Sequence, residues 1–405
     1  MKNHPETNPE LNGLRTWIEI DAKAVAHNYK LLRGLISSVS PKTKFMAVVK
    51  SNAYGHGLVD FSKEMEKLGA DWLGVDSIVE ATALRKAGIK SPILVLGYTL
   101  PSRLEEAADE NISLTVSTFE TLEQIAGLND GLNDSPNASA NIGSNKKLSI
   151  HIKVDTGMHR QGFLLADIPR VISKLKSLHG NISVEGLFTH LAAAKNPSFP
   201  TKTSAQLEEF GLWQKAFAEA DISAGRPLII HAAASAGAII YPQSHFNMAR
   251  FGITVYGLWP SVQVRGFAEE KLPLKPVLSW RTIIGEIKNV KKGESVGYDL
   301  VETLERDTTL AVCPVGYWHG LPRAISSVGH VLVRGQRARI VGRVSMDMIT
   351  IDVTDISGVK IGDAVTLIGR DGNEEIRAQE IAGLSETSDY EIITRINPLI
   401  KRIIV

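Results

Sequence analysis

Cysteine is almost absent from this chain. Cys313 is the only one in 405 residues, so no disulfide can form within it. Long hydrophobic runs are also missing. No uncharged apolar stretch approaches the roughly 18 residues of a membrane span. Neither sign of charge dominates: Lys+Arg number 45 and Asp+Glu 44. That balance gives no reason to expect a nucleic-acid or anionic-membrane partner. Residues 1–13 are polar, include Pro5 and Pro9, and lack the apolar core of a signal peptide. The cytoplasm is the expected compartment. What remains is an ordinary globular composition, 43% hydrophobic and 22% charged. The length suits one large domain with a smaller one, or two to three domains.

Lys50 ends the apolar run Phe45-Met46-Ala47-Val48-Val49, and the turn-rich Ser51-Asn52-Ala53-Tyr54-Gly55-His56-Gly57 follows. Such a run reads as a buried strand. A lysine at its end sits where a barrel places its chemistry, and partial burial makes an amine a usable nucleophile. The alternative is a surface lysine after an edge strand. Candidate strands cover 17–20, 44–50, 72–75, 93–96, 113–116, 148–154, 184–189, 228–231 and 254–258. Helical patterns fall at 59–68, 77–87, 119–126, 168–178 and 204–220. This alternation predicts parallel βα units, arranged as a (β/α)8 TIM barrel or a doubly wound open sheet. Residues 127–147, rich in Asn, Gly and Ser, read as an exposed loop without chemistry.

Past residue 272 the texture changes. Pro273 and Pro276 precede short β-rich runs at 277–286, 309–313, 330–333, 338–341, 349–353 and 364–368. The expected division is a barrel domain over 1–272, with an N-terminal extension over 1–15, and a mainly-β domain over 273–405. Cys313 lies within one of these runs, where a buried, inert thiol is expected.

Polar residues gather just beyond the barrel strands: Lys153, Asp155 and Arg160; Thr189 and His190; His231 and Ser235; Arg250. A lone histidine at a strand end is more often structural than catalytic. The shared position at strand C-termini is what a barrel active site predicts.

The string Val48-Val49-Lys50-Ser51-Asn52-Ala53-Tyr54-Gly55-His56-Gly57 resembles the pyridoxal-phosphate (PLP) lysine segment of the alanine racemases. Further segments are similar to that family: Ile152–Gly162, Gly186–Ala192, Met248–Gly257, Val296-Gly297-Tyr298, Pro314-Val315-Gly316-Tyr317 and Gly342–Asp347. The resemblance spans roughly residues 16–347. It implies a fold-type III racemase that interconverts L- and D-alanine and supplies D-alanine for peptidoglycan. Lys50 is then the PLP-bearing amine. Tyr54, Ser235 and the backbone of Gly252 and Ile253 hold the phosphate. Arg250 faces the pyridine nitrogen, and His190 joins it in a hydrogen-bond network. Arg160 approaches the phenolic oxygen, and Arg160, Tyr317 and Met346 contact substrate. Lys153 is a site of carbamylation, since an unmodified amine there repels Arg160. The other reading of Lys153 is a salt bridge to Asp155. Lys50 and Tyr298 act as the two bases, for the D-face and the L-face. No metal is implied. The partners implied are an amino-acid substrate and a second copy of the chain in a homodimer with shared sites, with neither nucleic acid nor membrane.

The chain departs from that pattern at Gly297 and Asp299, which flank Tyr298 where Ser and Gly are usual. Trp318 and His319 stand where Ala and Asp are usual, and Pro398 replaces a tyrosine near the phosphate. A broader-specificity racemase, a PLP-carrier barrel protein and a fold-type III decarboxylase are the alternatives. The β domain argues against the carrier. The segments around Arg160, Arg250 and Tyr298 disfavour the decarboxylase.

Overall fold

The computed structural model describes residues 11–127 and 147–405. The expected loop lies, over 128–146, outside the described residues, as does the first part of the N-terminal extension, 1–10. The chain divides into two compact units. One comprises Val25–Ala53 and Leu58–Lys275; the other comprises the segment up to Ala24, Tyr54–Gly57 and Pro276–Val405.

After a first strand, β1 (Thr16–Ile20), come the eight strands of the larger unit: β2 (Lys44–Val48), β3 (Trp72–Val75), β4 (Ile93–Val95), β5 (Ile112–Val116), β6 (Leu148–Lys153), β7 (Ile182–Phe188), β8 (Ile229–His231) and β9 (Met248–Phe251). They form one parallel sheet in the order β8-β7-β6-β5-β4-β3-β2-β9. The two end strands are joined by Asn247 N–H to Ile230 O and Arg250 N–H to Ala233 O, at 3.3 and 3.1 Å. The sheet is thus a nearly closed barrel. The rings of Trp72 on β3 and His151 on β6 lie 5.3 Å apart although two strands, β4 and β5, separate them in the sheet order, so both point into its interior. The strands are continuous apolar runs because both their faces are covered.

Helices return the chain between strands. Ser77 Oγ caps the helix Ile78–Lys86 by accepting from Glu80 N–H, while Arg85 and Lys86 occupy its negative last turn. The Glu80 carboxylate accepts from Asn52 N–H and Asp76 N–H, both at 2.9 Å. It thereby ties the loop after β2 to the loop after β3, which positions the candidate site.

Two expected strands are corrected. Residues 254–258 fall largely in a 3-10 turn, Ile253–Tyr256, and the closing strand is instead Met248–Phe251. Its four residues include Arg250, which masked the apolar signal. The run at 17–20 does form a strand, but β1 pairs with Leu278–Ile283 in the other unit rather than with the barrel.

That other unit continues with β10 (Leu278–Ile283), β11 (Glu286–Val290), β12 (Ser295–Val296), β13 (Glu302–Thr303), β14 (Thr308–Cys313), β15 (His330–Val333), β16 (Gln336–Val341), β17 (Ile349–Asp352), β18 (Ala364–Asp371), β19 (Glu374–Ile376) and β20 (Arg402–Ile404). Its main sheet runs β11-β14-β17-β16-β15-β18-β10-β1-β20, with β19 paired to β18. Leu278, Trp280 and Thr282 alternate inward along β10, the period-2 burial of a sheet with one buried face. Two short helices, Ala378–Leu384 and Asp389–Thr394, complete the unit, which is mainly β as expected. Cys313 is fully buried, which pushes its thiol pKa upward and leaves it inert.

Candidate active site

Lys50 follows β2 at the C-terminal end of the barrel. Its Nζ donates to Asp76 Oδ1 at 2.9 Å, and Asp76 stands at the equivalent position after β3. Asn52, Ala53 and Tyr54 all have φ near +50°. Ala53 and Tyr54 are unusual there, because a Cβ crowds the neighbouring carbonyl in this region. Backbone held in this way next to a reactive group is a recurrent property of functional sites.

β6 carries Lys153 at its end, almost fully buried, with its Nζ donating to Gln161 Oε1 at 2.9 Å. Burial, then the charges of Arg160, Arg250 and Lys50, pull its pKa down to about 8. Asp155 does not partner it. Oδ1 of Asp155 accepts from the N–H groups of Gly157, Met158 and His159, and Oδ2 from that of Arg160. Burial opposes the Asp155 charge, but those four donors outweigh it and lower the carboxyl pKa. The turn they fold carries Arg160 outward. Lys153, Asp155, Met158, Arg160, Gln161 and His190 line one concavity.

Arg250 on β9 is only 3% exposed. One Nη donates to His231 Nδ1 at 2.6 Å and His231 O at 3.1 Å; the other donates to Thr189 O and Ala232 O at 2.9 and 2.8 Å. His190 Nδ1 lies 3.5 Å away. Burial lowers the guanidinium pKa to about 9, which still leaves it protonated near neutrality. Burial, followed by the charges of Arg250, Arg160, Lys153 and Lys50, lowers His190 to about 3, so it is a neutral ring.

Beside Arg250 is a cradle of hydroxyl and amide groups. Ser235 Oγ accepts from Gly252 N–H at 3.0 Å and from Thr254 Oγ1 at 2.9 Å, and Ile253 begins the 3-10 turn between them. Since Ser235 Oγ accepts both bonds, its own O–H remains to donate to an anion.

Tyr54, Tyr298, Tyr317 and Met346 belong to the other compact unit. Tyr54 packs 6.1 Å from the Tyr390 ring, and burial raises its pKa to about 12, so it is a protonated donor. Tyr298 is 69% exposed. Gly297 before it has φ +80° and ψ −174°, a conformation open essentially to glycine alone. Asp299 after it has φ +60°, tolerated by a short polar side chain, and pairs with Arg343 at 3.1 Å. The two sequence departures around Tyr298 are therefore one backbone arrangement. Tyr317 and Met346 are exposed. His319 Nδ1 accepts from Gly316 N–H at 3.1 Å, which closes the turn that carries Tyr317. Asn397, beside the exposed Pro398, donates to His319 O and Trp318 O and braces that turn.

Sequence reading missed Asp76, Gln161, Thr254 and His151, and assigned His231 no role. Asp76 shares the strand-end signal of Lys50 and could have been found by it. His151 lies inside β6, where nothing in the string marks it. Among the described residues no group of His, Cys, Asp and Glu could hold a metal ion. No helix among them is long and apolar enough to cross a membrane.

A strand-end amine, a buried guanidinium and a cluster of hydroxyl and amide groups stand on one parallel barrel, the kind of scaffold on which barrel enzymes place their chemistry. Comparison makes the class specific. Residues 20–260 match the alanine racemase N-terminal domain, and 277–404 the C-terminal domain of the same family. The alanine racemase of Symbiobacterium thermophilum is 40% identical over 97% of this chain and 98% of its own length. That of Methanococcus maripaludis is 38% identical over 96% and 98%. The Bacillus anthracis alanine racemase structure with bound L-Ala-P superposes with a TM-score of 0.84 at 35% identity, covering 96% of this chain and 95% of that one. The Clostridium difficile enzyme gives 0.86 at 31%, covering 97% and 96%. The chain belongs to the alanine racemase family, and it is an isomerase.

Proposed function

We propose that this protein interconverts L- and D-alanine with PLP carried on Lys50. The observation that carries the reading is the placement of Lys50, Arg250 and the Ser235–Gly252–Thr254 cradle. β2 and β9 are neighbours, with Met46 opposite Arg250, so the amine and the guanidinium rise from adjacent strands. The residues fit the cofactor chemically: an amine for its aldehyde, hydroxyl and amide donors for its phosphate, and a cation for its ring nitrogen. When bound, PLP delocalises the electron pair left at the substrate Cα.

The chain's own residues divide the rest. Ser235, Tyr54 and the N–H groups of Gly252 and Ile253 hold the phosphate. Arg250 has only N–H groups, so it donates to the ring nitrogen and keeps it an acceptor. His190 stays neutral beside it. Arg160 orients the cofactor's phenolic oxygen and, with Tyr317 and Met346, the substrate. Lys50 removes or delivers the Cα proton on the D-face and Tyr298 on the L-face, so the substrate need not move. Lys153 is carbamylated: its lowered pKa leaves neutral amine to add carbon dioxide, one amine proton is released to solvent, and the carbamate formed carries a negative charge next to Arg160. The active form is a head-to-tail homodimer in the cytoplasm that supplies D-alanine for peptidoglycan.

The deciding experiment follows L-alanine by chiral chromatography while carbon dioxide release is monitored. Formation of D-alanine without carbon dioxide is expected. Decarboxylation, or faster turnover of lysine, arginine or serine, would displace the reading.

A further inference from the structure

Alternate residues of a strand share a face, so the inner face of β6 runs Ser149, His151, Lys153. Lys153 belongs to the site, and the roles above leave the two below it unused. His151 is fully buried. Its Nδ1 lies 3.0 Å from His231 Nε2, and His231 Nδ1 lies 2.6 Å from an Nη of Arg250. In the other direction, His151 Nε2 is 4.0 Å from Glu185 Oε2. The Glu185 carboxylate also accepts from the hydroxyls of Ser113 and Ser149, at 2.7 and 2.9 Å. A polar file therefore runs through an interior that such barrels ordinarily fill with layers of branched aliphatic side chains.

The file has a direction. A guanidinium cannot accept, so Arg250 donates to His231 Nδ1. The proton of neutral His231 is then on Nε2, from which it donates to His151 Nδ1. The proton of His151 is left on Nε2, the atom nearest Glu185. Both rings are held neutral, by burial first and then by the charge of Arg250. Among the described residues Arg250 has no carboxylate partner; its bonds go to carbonyls and histidine rings. A buried cation without a counter-charge is costly, and Glu185 stands at the far end of the only file that leads from it among these contacts.

The backbone is shaped for this arrangement. β7 sets Val184 opposite Ile150 and Gly186 opposite His151, which leaves Glu185 as the extra residue of a β-bulge. A Cβ on Gly186 would meet His151 Nδ1 at 2.2 Å, so only glycine leaves room for the ring.

We propose that Glu185, His151 and His231 are positioning residues that hold Arg250 through a one-directional file, with Glu185 as its remote counter-charge. The consequence for catalysis rests on Arg250 facing the cofactor's ring nitrogen; the file itself does not.

The test uses the full chain labelled with 15N-histidine, cofactor-free and cofactor-loaded. For both His151 and His231 the expected spectrum has a protonated Nε2 and an unprotonated Nδ1 throughout the neutral range. A proton on Nδ1 of either ring overturns the proposal. Glu185→Gln keeps oxygen and amide groups for Ser113 and Ser149 but removes the charge. It should shift the His151 Nε2 resonance, with both tautomers still fixed from the Arg250 end, and lower kcat about tenfold with little change in KM, a coupling ordinary for a buried network. Ser113→Ala, which keeps the carboxylate, should leave ring shifts and kcat as they were. Unchanged ring shifts in Glu185→Gln would remove Glu185 from the file. Altered shifts with unaltered kcat would uphold the file and instead sink the placement of Arg250 at the ring nitrogen. If Glu185→Gln proves unstable, the spectrum of the unsubstituted chain still decides the direction.

Discussion

Lys50 and Asp76 are joined by a 2.9 Å ion pair at the ends of neighbouring barrel strands, and neither is deeply buried. Exposed pairs of this kind contribute about 0–1 kcal/mol. The bond therefore orients the amine more than it holds the fold. The same Glu80 carboxylate that fixes Asp76 N–H also fixes Asn52 N–H, so the loops that carry the lysine and its partner share one anchor.

Lys50→Ala should accordingly leave the fold almost untouched, within about 0.5 kcal/mol, as is usual for exposed positions. It should abolish visible absorbance from covalently held PLP. Borohydride reduction of the unsubstituted protein, followed by peptide mapping, should place the label on Lys50. A label on any other lysine refutes the assignment.

Lys153 predicts two linked pH effects. Its pKa falls from an ordinary 10.5 to about 8. Between those values the unfolded chain binds a proton that the folded chain does not, so stability of unmodified protein rises with pH across that window. Below about pH 8 the full penalty of the buried charge is present. Carbamylation removes this dependence. Thermal melts from pH 7 to about 10, with and without bicarbonate, should separate the two forms, and 13C-bicarbonate should give a carbamate resonance that is absent in Lys153→Ala.

Tyr298→Phe should lower racemisation by roughly 10²–10⁴, the usual range for loss of a general acid or base. The visible absorbance of bound cofactor should persist. If Tyr298 serves only the L-face, exchange of the α-proton of L-alanine into heavy water should fall far more than that of D-alanine. Equal losses for both enantiomers would exclude a one-face role.

The homodimer proposal predicts complementation. Lys50→Ala and Tyr298→Phe chains should each be nearly inactive. Mixed after reversible dissociation, they should form heterodimers in which one site carries both lesions and the other neither, and activity should return. Recovery absent from proven heterodimers, or full activity in a demonstrated monomer, would refute the shared site.

Much of this was legible in the string because the barrel repeats one signal, an apolar run followed by polar strand-end residues. Lys50, Lys153 and His190 all carry it. The strand Met248–Phe251 escaped because a cation in a four-residue run hides its apolar character. β1 was visible as a strand, but its partners lie hundreds of residues away and periodicity says nothing about pairing. The same limit hid the relation of Glu185 to His151, which depends on a bulge and on ring directions in three dimensions. His319 was read only as a departure, and its Nδ1 turns out to accept the Gly316 N–H, a task that a carboxylate could also perform.

The pairing of β1 bears on how the chain is made. Ile18 and Ile20 align with Arg402 and Ile404, so a strand made before the barrel pairs with one made after it. Val25–Lys275 can emerge in full before the sheet holding β1 has its final strand. Until then β1 presents unpaired backbone on one side, an invitation to wrong pairing. Vectorial synthesis thus completes one module early and leaves the other waiting on its closing strand. Ribosome-bound chains halted just short of residue 402 should be the most dependent on chaperones.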